Sequence, residues 1–291
     1  MSTLRLWFVA ARPRTLPAAV APVVVGTALA ASEGVLRPLA FLSALVGSVF
    51  IQVGTNLSND YSDARRGADS EDRLGPVRVT AGGLLPPRRV LVGTYVAFAI
   101  AVAAGLYLAA LVGPELLAVG IASILAGVLY TGGPRPYGYE GLGEVFVFLF
   151  FGVVAVVGSY YVQTEELRLV AFALSLPVGL LATAILVVNN LRDIDTDRRA
   201  GKRTLAVRIG RARTRRLFVL IVVLALAAPL AIWPALSPWV LLAGLAAPLA
   251  LPPARAVSTR EDGPSLNAAL AGTGRLLAVF SVLLAVGVAL S

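Results

Sequence analysis

Residues 169 to 197 read LVAFALSLPVGLLATAILVVNNLRDIDTD, and the first twenty carry no charge. A helix needs about 20 apolar residues to cross a bilayer core of roughly 30 Å. The stretch is therefore a membrane span, and it ends abruptly in amides and carboxylates. Residues four apart share a helix face and lie about 6 Å apart along the axis. Asn189, Asp193 and Asp197 form one polar column if the helix continues.

Eight further apolar runs accompany this one. The full set lies near 15–32, 39–60, 90–113, 115–131, 144–163, 169–192, 217–233, 237–254 and 270–290. The expected fold is all-α, a polytopic transmembrane bundle of nine helices, forming one domain over residues 1–291. Composition agrees: only 14% of residues are charged and 58% are hydrophobic, with a mean hydropathy of +0.83. A soluble domain carries about 25% charged residues. Pro114 and the Pro234 to Pro238 segment mark tight joints and imply helical hairpins.

Lys and Arg in the connections set the orientation. With the N-terminus inside, 23 of them fall on inner segments and only Arg37 and Arg168 fall outside. This predicts a multi-pass protein of the cell inner or plasma membrane, N-terminus cytoplasmic, C-terminus external and site facing the cytoplasm. The same placement explains the net charge of +9, so no nucleic acid is expected as a partner. The first apolar run opens with Arg12, Pro13 and Arg14 and is full length, so it is not read as a cleavable signal.

A second polar cluster closes the second run: Asn56, Asn59, Asp60 and Asp63, followed by Asp69. Asn59 and Asn189 stand 130 positions apart, as do Asp63 and Asp193, which suggests a divergent internal repeat. Both clusters fall at the predicted cytoplasmic face. One such motif is ordinary interfacial solvation. Two at corresponding depths are a site, because ionisable groups at membrane depth are functional by default. Cys and His are both absent, which removes thiolate and imidazole ligands. Oxygen donors alone favour Mg²⁺, held through carboxylates, waters and substrate phosphates.

The motifs resemble those of the intramembrane aromatic prenyltransferases, the UbiA superfamily, over nearly the whole chain. That family has nine transmembrane helices and two motifs of the form NxxxDxxxD. Asn189, Asp193 and Asp197 match the second in full. Asn59 and Asp63 match the first, but Gly67 stands at its third position, and Asp60 and Asp69 are the two candidates to complete it. Four blocks are similar to the branch that prenylates 1,4-dihydroxy-2-naphthoate: ARPRTLPAAVAPVVVGTALA from residue 11, NLSNDYSDARRGAD with DRLGPVR, YTGGPRPYGYEGLGEVFVFLFFG from residue 130, and NNLRDIDTDRRAGKRTLAVRIG from residue 189.

The resemblance implies a polyprenyl diphosphate donor that ionises on Mg²⁺. The naphthalene ring attacks the allylic cation at the carbon bearing its carboxylate. Diphosphate and carbon dioxide leave, giving demethylmenaquinone. It also implies Asp63, Asp193 and Asp197 as catalytic metal ligands, with Asn59, Asp60, Asp69 and Asn189 beside them. Lys202, Arg203 and Arg78 are candidates for the diphosphate, and Asn56 for substrate contact. Arg135, Tyr137 and Tyr139 sit in a loop that closes over the acceptor. The acceptor carboxylate has Arg12, Arg14 and Arg135 as candidate partners. The tail needs only membrane lipid and an apolar cleft, because its burial is not directional. Competing readings are another acceptor in the same superfamily (hydroxybenzoate, haem or chlorophyllide) and a secondary transporter built on repeats. Against the transporter, both clusters lie at one face rather than the midplane. If one diphosphate bridges both motifs, the carboxyl groups of Asp63 and Asp193 should lie within roughly 8–14 Å.

Overall fold

The computed structural model describes residues 2–68 and 74–291, and its secondary structure is helical throughout. In chain order the helices are α1 (Thr3–Ala11), α2 (Pro17–Ser32), α3 (Pro38–Arg65), α4 (Pro87–Leu111), α5 (Glu115–Leu129), α6 (Gly143–Thr164), α7 (Leu169–Arg192), α8 (Ile194–Arg199), α9 (Leu205–Ile209), α10 (Arg211–Ala235), α11 (Pro238–Thr259) and α12 (Gly263–Ala289). Proline opens α2, α3, α4 and α11. Its fixed φ suits the first helical position, and its missing N–H is one the helix start leaves unpaired anyway. Asp262 caps α12 by accepting the Ser265 N–H at 2.8 Å.

Seven helices, α3, α4, α6, α7, α10, α11 and α12, are long and apolar enough to cross a membrane. The chain is a multi-pass membrane protein. The run expected near 15–32 proves to be half of a pair: residues 3–15 and 17–32 meet at a 55° bend. The run near 115–131 is the 15-residue α5, shorter than the others. The last helix starts at Gly263, seven residues before the expected run.

α7 is the axis of the bundle. In its most apolar 18-residue window 67% of positions are buried, against 22% in α3 and α4. Small residues let neighbours approach it. Gly152 and Gly179 pack α6 against α7 so closely that a Cβ built on Gly152 would stand 2.7 Å from the Gly179 Cα. The Phe148–Val154 stretch of α6 widens into a π-helix at that contact.

The end of α7 decides the site. The helix breaks at Asp193, whose φ of −93° and ψ of 8° lie outside helical values. Yet the Asp193 N–H still donates to the Asn189 carbonyl at 3.1 Å, and the Asp197 N–H to the Asp193 carbonyl at 2.8 Å. The i to i+4 bonding thus runs through the break, and the polar column survives it.

Candidate functional site

The ends of α3, α5 and α7 meet at one end of the bundle and enclose a cavity of about 400 Å³. Asn59, Asp63, Asn189, Asp193, Asp197 and Lys202 line its polar end. The two motifs, far apart in sequence, therefore share one cavity. From there the cavity runs between α3, α4, α5 and α6 as far as the apolar Leu108, Leu116 and Val162.

Asp63 has three side-chain partners. It is 1% exposed. Its Oδ1 accepts from the Tyr139 hydroxyl at 2.7 Å. Its Oδ2 accepts from an Arg78 terminal nitrogen and from Lys202 Nζ, each at 3.0 Å. Lys202 also lies 4.9 Å from the centre of the Tyr139 ring. Its backbone N–H donates to the Asp197 carbonyl at 2.8 Å, so this one lysine ties the second motif to the first. Asn59 accepts from the Thr131 hydroxyl at 2.9 Å. Asn56 donates to the Ala11 carbonyl at 3.0 Å and fixes the segment that carries Arg12.

Arg192 organises the second motif. It is 3% exposed, and charge at that depth must be paired. Its Nε and one terminal nitrogen grip Asp193 at 2.8 and 2.6 Å. The same terminal nitrogen donates to Asn189 Oδ1 at 2.8 Å, and the other to Asn267 Oδ1 on α12 at 2.8 Å. Sequence reasoning counted Arg192 only as an inner positive charge. Its place within NNLRD was the sole hint, and Asn267 and Thr131 gave none.

One wall of the cavity is aromatic. Tyr137 stacks on Phe146 with ring centres 3.9 Å apart, and Phe150 continues the stack at 6.1 Å. The Tyr137 hydroxyl donates to the Ala126 carbonyl at 2.8 Å. Burial raises the Tyr137 pKa above the ordinary tyrosine value, so it remains a neutral donor.

Several expected residues lie elsewhere. Asp60 does not line the cavity; its two oxygens accept the backbone N–H groups of Val79 and Thr80 at 3.1 and 2.9 Å. It anchors the segment that presents Arg78. Arg135 and Arg203 are exposed and outside the lining, because their loops turn outward there. The Arg203 backbone instead bonds the Tyr139 carbonyl at 2.9 Å. Asp69 lies outside the described residues. Of Arg12, Arg14 and Arg135, Arg12 alone lines the cavity.

The donor set fits a hard cation. Every candidate ligand is a carboxylate or amide oxygen. Among the described residues no three carboxylates cluster into a closed metal cage. That suits Mg²⁺, which binds through one or two carboxylates and takes its remaining oxygens from water and phosphate. The charges facing the cavity balance: Asp63, Asp193 and Asp197 against Arg12, Arg78 and Lys202.

Comparison with known proteins places this architecture. Residues 19–282 match the model of the UbiA prenyltransferase family. The chain is 48% identical over 237 residues to 1,4-dihydroxy-2-naphthoate octaprenyltransferase of Mycobacterium tuberculosis, covering 79% of this chain and 81% of that protein. It is 42% identical over 285 residues to the Mycobacterium leprae protein of the same name, covering 98% and 96%. A UbiA homolog from Archaeoglobus fulgidus, solved with GPP and Mg²⁺, superposes with a TM-score of 0.66 at 16% identity over 98% of this chain and 100% of that one. An all-helical membrane bundle whose paired Asn–Asp motifs face one cavity thus belongs to the UbiA prenyltransferase family.

Proposed function

We propose that the protein transfers a polyprenyl group from its diphosphate to 1,4-dihydroxy-2-naphthoate. The observation that carries this is the single cavity joining two oxygen-rich motifs to an apolar channel. The likeness to naphthoate prenyltransferases along almost the entire chain supports the acceptor. Asn59, Asp63, Asn189, Asp193 and Asp197 are the residues that would hold Mg²⁺. Bound there, the ion supplies Lewis-acid neutralisation of the leaving diphosphate. Lys202 and Arg78 flank Asp63 and are placed to meet phosphate oxygens as well.

The C–O bond to diphosphate breaks and leaves an allylic cation. The Tyr137, Phe146 and Phe150 wall offers π faces to that cation. The electron-rich ring forms the new C–C bond at its carboxylate-bearing carbon. Loss of carbon dioxide returns the electron pair to the ring and leaves the prenylated naphthoquinol, the reduced form of demethylmenaquinone. Arg12, in the cavity, pairs with the acceptor carboxylate until that loss. The tail lies in the channel toward Leu108, Leu116 and Val162, in contact with membrane lipid beyond it.

The site faces the cytoplasm, and all nine apolar helices cross the membrane. Glu115 at the start of α5 accepts from Tyr161 at 2.6 Å, while Thr131, just past its end, reaches Asn59 in the cavity. The 15-residue α5 rises about 22 Å, and the two residues after it complete the link between those contacts.

The test is an assay of purified protein with 1,4-dihydroxy-2-naphthoate and a set of polyprenyl diphosphates, with and without Mg²⁺. Product and carbon dioxide should appear together and only with metal. Turnover of hydroxybenzoate in preference to the naphthoate would overturn the acceptor.

A further inference from the structure

We infer that Asn267 and Arg192 form a positioning relay, through which α12 sets the geometry of the second metal motif and registers it with the segment carrying Arg78. The inference rests on the metal site proposed above. Arg192 makes four hydrogen bonds to three acceptors: two to Asp193, one to Asn189 and one to Asn267. Asn267 then donates through its own amide nitrogen to the Leu74 carbonyl at 3.0 Å. Leu74 lies four residues before Arg78, which bonds Asp63. Gly263 closes the contact from the same helix: a Cβ there would stand 2.9 Å from the Leu74 oxygen. The path Asp63–Arg78–Leu74–Asn267–Arg192–Asp193 thus joins the two motifs behind the cavity, on the side where neither Asn267 nor Leu74 lines it.

The chemistry gives the relay a direction. A carboxylate has about four lone-pair sites, and the bidentate guanidinium occupies two of them. The remainder are left for a metal, at an orientation that Arg192 fixes. Asn189 is fixed by the same guanidinium. Two ligands on successive turns thus become one preset pair. Asn267 holds Arg192 in the pose that serves both. Groups that orient metal ligands in this way typically cost 10–100-fold in metal affinity when removed.

The experiment measures Mn²⁺ binding by electron paramagnetic resonance, with inorganic diphosphate present, in wild type, Asn267→Leu and Asn267→Asp. Asp at 267 still accepts from Arg192 but no longer donates to Leu74. The Mg²⁺ dependence of turnover is read alongside. The relay predicts Mn²⁺ binding weaker by about 10–100-fold in Asn267→Leu. It predicts an intermediate loss in Asn267→Asp, which keeps the bond to Arg192 and loses the one to Leu74. Asn267→Leu should also need more Mg²⁺ for half-maximal rate while kcat at saturating metal stays within about threefold of wild type. If Asn267→Leu fails to fold, Asn267→Ala carries the same expectation at this half-buried position. Unchanged Mn²⁺ affinity with a lowered melting temperature in both variants would show a merely structural contact and overturn the relay. A wild type that orders Mn²⁺ affinities as predicted but makes no naphthoate product would sink the acceptor and leave the relay supported.

Discussion

Two aspartates three residues apart have different partners. Asp63 faces the cavity and binds Arg78, Lys202 and Tyr139; Asp60 faces backbone amides of the next segment. Their variants should therefore separate. Asp63→Ala and Asp193→Ala should each lower turnover by about 10²–10³-fold or more while the protein still inserts, since fixed charge at a developing anion has that worth. Near-normal initial rates at saturating Mg²⁺ would remove either from the ligand set. Asp60→Ala should instead act first on stability, by about 1–3 kcal/mol, as the Val79 and Thr80 amides lose their acceptor. Thermal unfolding in detergent checks this; an unchanged midpoint would contradict the anchoring role. Tyr139→Phe keeps the ring beneath Lys202 and removes the hydroxyl that bonds Asp63. A charge-assisted bond of about 1.5–3 kcal/mol predicts a rate loss of roughly ten- to hundredfold. A loss below twofold would assign Tyr139 to packing alone.

At the scale of helices, the close approaches carry the bundle. A Cβ on Gly26 of α2 would stand 2.2 Å from the Val156 carbonyl oxygen and 2.9 Å from Ser159 Cβ, both on α6. Gly26→Leu should destabilise the protein by about 1–3 kcal/mol or more through overpacking, seen as a lower unfolding temperature. Gly105, with nothing near a built Cβ, is the control and should accept Ala without loss. The sequence made α3, α4, α6, α7, α10 and α11 legible because lipid imposes a continuous apolar run on any helix it surrounds. It did not reveal the 55° bend before α2 or the early start of α12, since polar and small residues there are tolerated by tertiary neighbours. The two Asn–Asp motifs that share the cavity were legible through their repeat spacing. Arg192 was not, because a buried arginine and a topogenic one look alike in sequence; only Asn189, Asp193 and Asn267 around it tell them apart. Arg135 and Arg203 show the converse: they sit beside cavity residues in sequence but are exposed and outside the cavity lining.

For the whole molecule, the two ends of the bundle differ in chemistry. The site end gathers both motifs with Arg66, Arg78, Lys202, Arg208, Arg211 and Arg215. The far end holds Glu33, Arg37, Glu115, Glu165, Glu166 and Arg168, paired among themselves or with tyrosines: Arg37 with Glu165 at 2.7 Å, Arg168 with Glu33 at 2.9 Å, Tyr160 with Glu33 at 2.7 Å. Cationic loops stay on the cytoplasmic side, and on that rule the proposed orientation puts the site end in the cytoplasm and the other end outside. The proposed count of nine crossings rests on where each connection sits. The chain passes Arg12 at the cavity, then Glu33 at the far end, then Asp63 at the cavity again. It returns to Glu115, comes back to Thr131, leaves to Glu165 and re-enters at Asp193. The chain thus alternates six times between the two ends by named contacts, and with α10, α11 and α12 the proposed count is nine. Reporter fusions after residue 34 and after Ser291 should both report an external location, and a fusion in the 200–204 turn a cytoplasmic one. A cytoplasmic C-terminus would require an even number of crossings. The short α5 would then be the helix that fails to cross, and its link between Glu115 and the cavity would have to be abandoned with it.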